Sequence, residues 1–272
     1  MTTSVQPQGA SSTINRLDLW WQFTVRAVEL RHRGSYLGFV WMVLNPLLML
    51  GLYVTVFGFL LGGKFQAGDS PWDYAMGVFL GLILYHLLAE TIAAAPGFIV
   101  SNPNFVKKVV FPLEILPLAN LGAYIFHFLT SVVLLLIGGL IIGHPFTLAG
   151  FLWLPVIIVP HILLCVGLGW LLAALGVFFR DITQITTFIS LVVLYASAVF
   201  YSPQTVQTYP DLWMILKWNP VLHTIDLARQ TVLWQQPVDL LTLGYTWICG
   251  LFFTAVGWMV FRAARPAFSD VL

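Results

Sequence analysis

The chain has 272 residues, of which 59% are hydrophobic and 8% carry a charge, and its mean hydropathy is +0.90. Soluble domains average about 45–50% apolar and about 25% charged residues. Because so little charge cannot cover a surface that faces water, the composition excludes a soluble globular domain. It predicts an all-α polytopic protein of the lipid bilayer. The formal net charge of +1 says little about partners. No nucleic-acid partner is expected.

The first element is predicted to be an amphipathic helix over residues 14–33, after a polar tail over residues 1–13. On a helical wheel, one narrow face of this helix collects its polar side chains: Asn15, Asp18, Gln22, Arg26, Glu29 and Arg33. Apolar side chains, among them the neighbouring Trp20 and Trp21, fill the rest of the wheel. Indole rings favour the headgroup level, so the pattern predicts an interfacial helix rather than a span.

Six apolar runs follow, each close to or above the roughly 20 residues with which a helix crosses a bilayer. They cover residues 36–61, 74–97, 116–142, 151–178, 183–201 and 239–261. Together they predict one six-span membrane domain over residues 34–262, followed by a tail over residues 263–272.

The lysines and arginines predict the orientation of these spans. With the N-terminus in the cytoplasm, nine of them lie on the cytoplasmic side: Arg16, Arg26, Arg31, Arg33, Lys107, Lys108, Arg180, Arg262 and Arg265. Three lie outside: Lys64, Lys217 and Arg229. Because basic residues that flank spans are retained in the cytoplasm, this asymmetry predicts that both termini are cytoplasmic.

Two segments depart from the pattern of span and short loop. Residues 96–117, on the cytoplasmic side, combine four prolines with charged and apolar residues, which is typical of a docking surface rather than a slack linker. Residues 202–237 are too polar, and too broken by Pro210 and Pro220, to span. Re-entrant backbone is tolerated where it packs on protein or lines a water-filled cavity. We therefore expect two short re-entrant helices there, as a lid on a pathway.

Few side chains inside the spans indicate chemistry. Glu90 is the one acidic residue placed well inside the membrane, where a carboxylate usually faces a bundle interior or a wet pathway. It follows His86 by four residues on the same helix face, so a structural hydrogen bond and a transport role are both open. Aromatic rings stack on sugar faces, and we select four by their span position as candidates to line a path: Tyr53, Phe57, Tyr195 and Tyr201.

The sequence does not predict an enzyme. It has no metal-binding histidine pattern, no paired carboxylates of credible geometry and no Ser/His/Asp arrangement. Residues 58–64, GFLLGGK, match part of a phosphate-binding loop, but Phe65 stands where Ser or Thr would hold magnesium, and the segment ends a span. We therefore expect this chain to bind no cofactor and no metal.

An amphipathic helix is followed in order by RHRGSYLGFVWMVLNPLLMLGLYVTVFGFLLG, NFVKKVVFPLEILPLANL, LGVFFRDITQITTFISLVVLYASAVFYSP and KWNPVLHTIDLARQ. Across residues 14–262, this order resembles the permease subunits of polysaccharide-exporting ABC transporters, in the type 2 ABC exporter class. The resemblance is greatest to the O-antigen exporter permeases known as Wzm, to which capsule and teichoic-acid permeases are related.

The resemblance implies a half-transporter that pairs as a homodimer and binds two cytoplasmic ABC ATPase subunits, which would bring ATP and Mg²⁺. The implied substrate is a polyprenyl-pyrophosphate-linked glycan, exported across the bacterial inner (plasma) membrane. On this chain, residues 96–117 would form the coupling loop. Its expected ATPase contacts are Asn104, Phe105, Lys107, Lys108 and Glu114.

The same resemblance assigns roles to residues at the two ends of the path. At the cytoplasmic entrance, the pyrophosphate would meet Arg26, Arg31 and Arg33, although span orientation and binding to anionic lipid explain the same cations. Residues 202–237 would form the outer gate, which would include Trp213, Trp218, Asp226 and Arg229. Glu90 would join the four aromatic rings along the path.

Three other classes of protein remain as alternatives. An ABC exporter of small hydrophobic molecules would share the six-span plan. A secondary transporter would normally show internal repeats and intramembrane charges, whereas Glu90 stands alone here. A membrane-bound transferase would need a catalytic constellation.

Overall fold

The computed structural model describes residues 15–32, 36–38, 40–65, 70–107, 111–144 and 146–272. The predicted tail over residues 1–13, Arg33 and Lys108 lie outside the described residues. The described part of the chain is helical, without a strand. Its helices, in chain order, are α1 (Arg16–His32), α2 (Val40–Tyr53), α3 (Pro71–Ala94), α4 (Gly97–Val100), α5 (Pro103–Lys107), α6 (Ile115–Ile142), α7 (Leu148–Phe178), α8 (Ile182–Ala196), α9 (Pro203–Gln207), α10 (Pro210–Leu216), α11 (Pro220–Ala228), α12 (Leu240–Ala264) and α13 (Phe268–Val271). α2 continues as a π-helix over Val54–Leu60, and α11 continues as a π-helix over Arg229–Leu233.

Five of the described helices are long and apolar enough to cross a membrane: Val40–Leu60, Pro71–Ala94, Ile115–Ile142, Ala149–Phe178 and Leu240–Val271. The prediction of an all-α polytopic membrane protein is confirmed. The expected span over residues 183–201 is shorter in the structure, because α8 has only 15 residues. At about 1.5 Å per residue it covers about 22 Å of a hydrocarbon core about 30 Å thick. α8 is followed by a turn in which Ala198 has a left-handed backbone (φ 54°).

The long helices alternate between two ends of the bundle. At one end α3, α7 and α12 finish and α6 begins, and there the rings of Phe178 and Phe268 lie 6.1 Å apart. At the opposite end α3 begins beside the turn after α8, where the Tyr74 hydroxyl donates to the carbonyl of Phe200 over 3.1 Å. We refer to these as the α4–α5 end and the α9–α11 end, after the short helices that lie at each.

α3 is the central helix of the bundle. Its side chains are mainly apolar on every face, and 17 of its 24 residues are buried. Its start is fixed by a reciprocal capping box, in which the Ser70 side chain accepts from the Asp73 amide and the Asp73 carboxylate accepts from the Ser70 amide. α2, by contrast, is peripheral: Met42 is its one buried residue in the described structure.

α7 and α12 pack along each other with their backbones in direct contact. A Cβ added at Gly257 would lie 2.0 Å from the carbonyl oxygen of Gly167, and one at Gly250 would lie 2.4 Å from that of Pro160. Glycines at these positions let the two spans approach closely, which is how helices associate within lipid. α7 and α12 are thus the most closely packed pair of long helices in the described structure.

α1 lies within the predicted range of residues 14–33 and packs on the first turns of α6. The Trp20 indole donates to the carbonyl of Leu118 over 3.1 Å, and Thr24 is buried against Gly122, where a Cβ would lie 2.7 Å from its hydroxyl oxygen. Trp21 points the other way and is 61% exposed. A helix with one face on the bundle and an indole on the other suits the membrane boundary.

Candidate functional site

The structure joins two residues that the sequence placed in different roles. The Arg31 guanidinium, near the end of α1, makes a two-pronged ion pair with the Glu90 carboxylate in α3, with Nη1 2.8 Å from Oε2 and Nη2 in contact with Oε1. The hydrogen bond to Glu90 raises the pKa of Arg31 above its usual value. Glu90 therefore has its partner in α1 rather than in His86. The pair ties α1 to the central helix of the bundle.

A cavity of about 450 Å³ lies between α2, α3 and α6, with this ion pair at its rim. Its rim is polar, with Tyr124 beside the pair and the Arg31 guanidinium 5.6 Å from the tyrosine ring. Its deeper lining mixes apolar and polar side chains, among them Phe79 and Ser131. Phe79 precedes Glu90 by 11 helical residues, so the lining extends about 16 Å along α3.

A second cavity of about 470 Å³ lies on the α1 side of the same pair, and it is also lined by Arg31, Glu90 and Tyr124. These three side chains thus stand between two cavities. Of the other two predicted entrance cations, Arg26 is exposed and makes no ion pair with any residue in the described structure, and Arg33 lies outside it.

The selected aromatic residues meet around a ring that the sequence reasoning missed. Phe200, in the turn after α8, stacks on Phe57 (ring centroids 4.5 Å apart), and it also contacts Tyr53 (4.7 Å) and Tyr195 (6.0 Å). The Tyr201 hydroxyl donates to the Tyr195 carbonyl. The signal that could have found Phe200 is its position directly before Tyr201, at the end of the same apolar run. α2 and α8 therefore present one aromatic cluster rather than scattered rings.

The predicted coupling residues divide into an exposed pair and an internal pair. Asn104 and Lys107, in α5, are exposed, and the Lys107 ammonium also contacts the Leu272 carbonyl. Phe105 is turned toward the bundle, where its ring lies 5.5 Å from that of Phe23 in α1 and 4.8 Å from that of Phe111.

Glu114 is also internal, which corrects its expected place on the docking surface. Its side chain is 10% exposed, accepts from Arg265 (3.3 Å) and forms an ion pair with Arg16 (3.6 Å), while its backbone carbonyl accepts from the Trp170 indole (3.2 Å). An acidic side chain with two arginine partners is held by this chain itself. We therefore reassign Glu114, like Phe105, from partner contact to internal anchor.

The predicted gate segment, residues 202–237, contains the short packed helices α9 to α11. Trp218 is 66% exposed and carries the Lys217 ammonium 5.4 Å from its ring, and Trp213 is half-buried. Asp226 accepts from the Gln230 amide over 2.8 Å, and burial raises the pKa of its carboxyl. These residues offer a partly exposed aromatic surface at the α9–α11 end.

Arg229 is the exception among the predicted gate residues, because its side chain is fully buried. Its Nε donates to the carbonyl of Gly77 (2.8 Å) and its Nη1 to that of Ala198 (2.6 Å), while Nη2 contacts the carbonyl of Val199. The guanidinium also lies 4.2 Å from the centre of the Phe65 ring. Arg229 is thus a structural cross-link between α3, the turn after α8 and α11, and it presents no gate surface.

The long apolar helices, with α1 docked on them, are the architecture of a polytopic all-α membrane protein. A family model of ABC-2 type transporters matches residues 18–233, so the chain belongs to the ABC-2 type transporter family and is a multi-pass membrane permease. The predicted resemblance is confirmed at this level.

Individual relatives extend the comparison over nearly the whole chain. The chain is 24% identical over 261 residues to the O-antigen export system permease protein RfbA of Klebsiella pneumoniae, covering 94% of this chain and 95% of that protein. It is 27% identical over 197 residues to the protein of the same name from Myxococcus xanthus, covering 72% and 73%. It is 22% identical over 246 residues to the polysialic acid transport protein KpsM of Escherichia coli, covering 89% and 92%.

Proposed function

We propose that this chain is the permease subunit of an ATP-driven exporter that moves a lipid-linked polysaccharide of the O-antigen type across the bacterial inner membrane. The observation that carries the proposal is the similarity to an O-antigen export permease over 94% of this chain and 95% of that protein. A capsular polysaccharide is the second candidate, because the similarity to a polysialic acid transport protein covers 89% of the chain.

The permease is proposed to act as a homodimer with two cytoplasmic ABC ATPase subunits, which bind ATP and Mg²⁺ in its place. The basic residues support a cytoplasmic α4–α5 end: Arg16, Arg31, Lys107, Arg180, Arg262 and Arg265 lie toward it, whereas Lys64 and Lys217 lie toward the opposite end. Both chain termini would then be cytoplasmic. The exposed Asn104 and Lys107 of α5 are the proposed ATPase contacts.

The proposed path leads from the Arg31–Glu90 pair toward the aromatic cluster of Tyr53, Phe57, Tyr195 and Phe200. A pyrophosphate group is recognised by guanidinium forks. Because the Arg31 fork is occupied by Glu90, the exposed Arg26 is the better candidate for the first contact with the substrate pyrophosphate. Sugar rings would then stack on the exposed face of Tyr195, which is 50% exposed.

The test is deletion of the gene in its host, with re-expression of the parent chain as the control. We expect loss of O-antigen from the cell surface and accumulation of the polyprenyl-linked polymer inside, both restored by the parent chain. Loss of capsule with an intact O-antigen would establish the second candidate. A surface with both polymers intact would refute the proposed function.

A further inference from the structure

A cavity of about 300 Å³ at the α4–α5 end collects basic side chains that the proposed transport path does not use. Its lining residues are Arg16, Glu114, Trp258, Phe261, Arg262 and Arg265. They come from the first turn of α1, the start of α6 and the end of α12, so three separate elements meet there.

The cavity has an excess of positive charge. Three arginines share it with one carboxylate, and Glu114 already pairs with both Arg16 and Arg265. Arg262 makes no ion pair or hydrogen bond with any residue that the structure describes. The N-terminus of α1, a helix of 17 residues, adds the positive end of its dipole beside Arg16. Like charges gathered in one cavity repel, so an added anion lowers the energy of the arrangement.

Two tryptophans meet at the wall of this cavity. Trp258 packs on Trp170 with ring centroids 5.0 Å apart, and the Trp170 indole donates to the Glu114 carbonyl over 3.2 Å. Tryptophans at the ends of apolar spans mark the boundary between hydrocarbon and headgroups. An anion that reaches the cavity from the membrane arrives at this depth.

We propose that this cavity binds the phosphate headgroup of an anionic phospholipid. Two N–H groups of an arginine can donate to two phosphate oxygens at once. Arg262 and Arg16 are both exposed, and the Trp258 ring lines the cavity beside them. Basic pockets between spans are a recurrent lipid site. The bound lipid joins α1 to α12 and holds the interfacial helix against the bundle. The site is independent of the exported substrate.

The test compares the parent chain with an Arg16→Gln/Arg262→Gln variant in nanodiscs made of phosphatidylcholine alone or with added phosphatidylglycerol. The matched control is Arg180→Gln, an exposed arginine at the same end of the bundle and outside the cavity. Phosphatidylglycerol should raise the thermal unfolding midpoint of the parent and of the control equally. The double variant should lose most of this gain, and native mass spectrometry should show about tenfold weaker retention of the lipid, as expected for the loss of charge-assisted hydrogen bonds.

A second variant tests the charge argument without removing an arginine. Glu114→Gln takes away the competing carboxylate, so it should strengthen retention of phosphatidylglycerol rather than weaken it. An equal gain in the double variant and the parent would overturn the proposal. It would also be overturned if inorganic phosphate in phosphatidylcholine nanodiscs reproduced the whole gain, because the site would then bind a free anion and not a lipid.

Discussion

Replacing Arg229 with methionine should destabilise the fold strongly. The guanidinium satisfies the carbonyls of Gly77, Ala198 and Val199, and methionine provides no donor for any of them. A buried acceptor left without its partner costs about 1–3 kcal/mol. Because methionine is neutral, the folded variant does not bury a charge. This gain offsets part of the loss, so the net loss of stability is smaller than the sum over the three acceptors. We therefore expect Arg229→Met to lower the free energy of unfolding by about 3 kcal/mol.

The turn at Ala198 makes this loss local as well as large. Ala198 has a left-handed backbone (φ 54°), which is unfavourable for a residue with a Cβ, and Arg229 bonds its carbonyl. The turn after α8 should therefore loosen first. The stability of Arg229→Lys should lie between that of the parent and that of Arg229→Met, because an ammonium group keeps the charge but lacks the planar fork of donors.

The assay is equilibrium unfolding in detergent, followed by tryptophan fluorescence, with Arg180→Met as the control for loss of an exposed arginine. A double-mutant cycle with Gly81→Ala sharpens it, because a Cβ at Gly81 would lie 2.4 Å from Nη2 of Arg229. Gly81→Ala should cost more with Arg229 than with the flexible methionine. Exposed substitutions usually change the free energy of unfolding by less than about 0.5 kcal/mol. If Arg229→Met changes it by no more than this, Arg229 has no structural role as a cross-link.

Three further predictions test other contacts. Gly257→Val should abolish the monodisperse peak in size-exclusion chromatography, since its side chain would enter the Gly167 backbone, whereas Gly244→Val, with open space on the same helix, should keep it. Arg31→Glu and Glu90→Arg should each lower polysaccharide export in cells, and the double swap should restore it if the pair anchors α1; failure of the swap would favour direct contact of Arg31 with substrate. Asn104→Ala/Lys107→Ala should uncouple ATP hydrolysis from export in the purified complex while leaving membrane insertion intact, and an unchanged export rate would remove α5 from the coupling surface.

The sequence predicted those features that repeat along the chain. The apolar runs predicted the long helices, because a backbone inside lipid must satisfy its hydrogen bonds within a helix. The polar face of residues 14–33 predicted α1. The short α8 was not predicted, because composition continues apolar through residues 197–200 although the backbone turns there. Hydropathy measures preference for lipid and does not locate a turn that another element stabilises.

Individual side-chain roles were less predictable, because they depend on contacts between distant parts of the chain. From the sequence, Glu114 was predicted to be a surface charge near two lysines. In the structure it pairs with Arg265, which lies 151 residues later in the chain. Arg229 reads as an outer cation, yet its guanidinium bonds Gly77, 152 residues away. Arg31 and Glu90 were both selected from sequence, but their pairing across 59 residues was not. Spacing along one helix gives no information about such partners.

The central claim is that this permease exports a lipid-linked polysaccharide at the expense of ATP. The most direct measurement is transport in proteoliposomes that contain the permease, its ABC ATPase and the polyprenyl-pyrophosphate-linked glycan, with glycan in the far leaflet or lumen detected by a membrane-impermeant lectin. We expect translocation that requires ATP and Mg²⁺ and that stops when the ATPase is catalytically inactive. Translocation that proceeds without nucleotide, or ATP-driven transport of small hydrophobic molecules but not of the glycan, would contradict it.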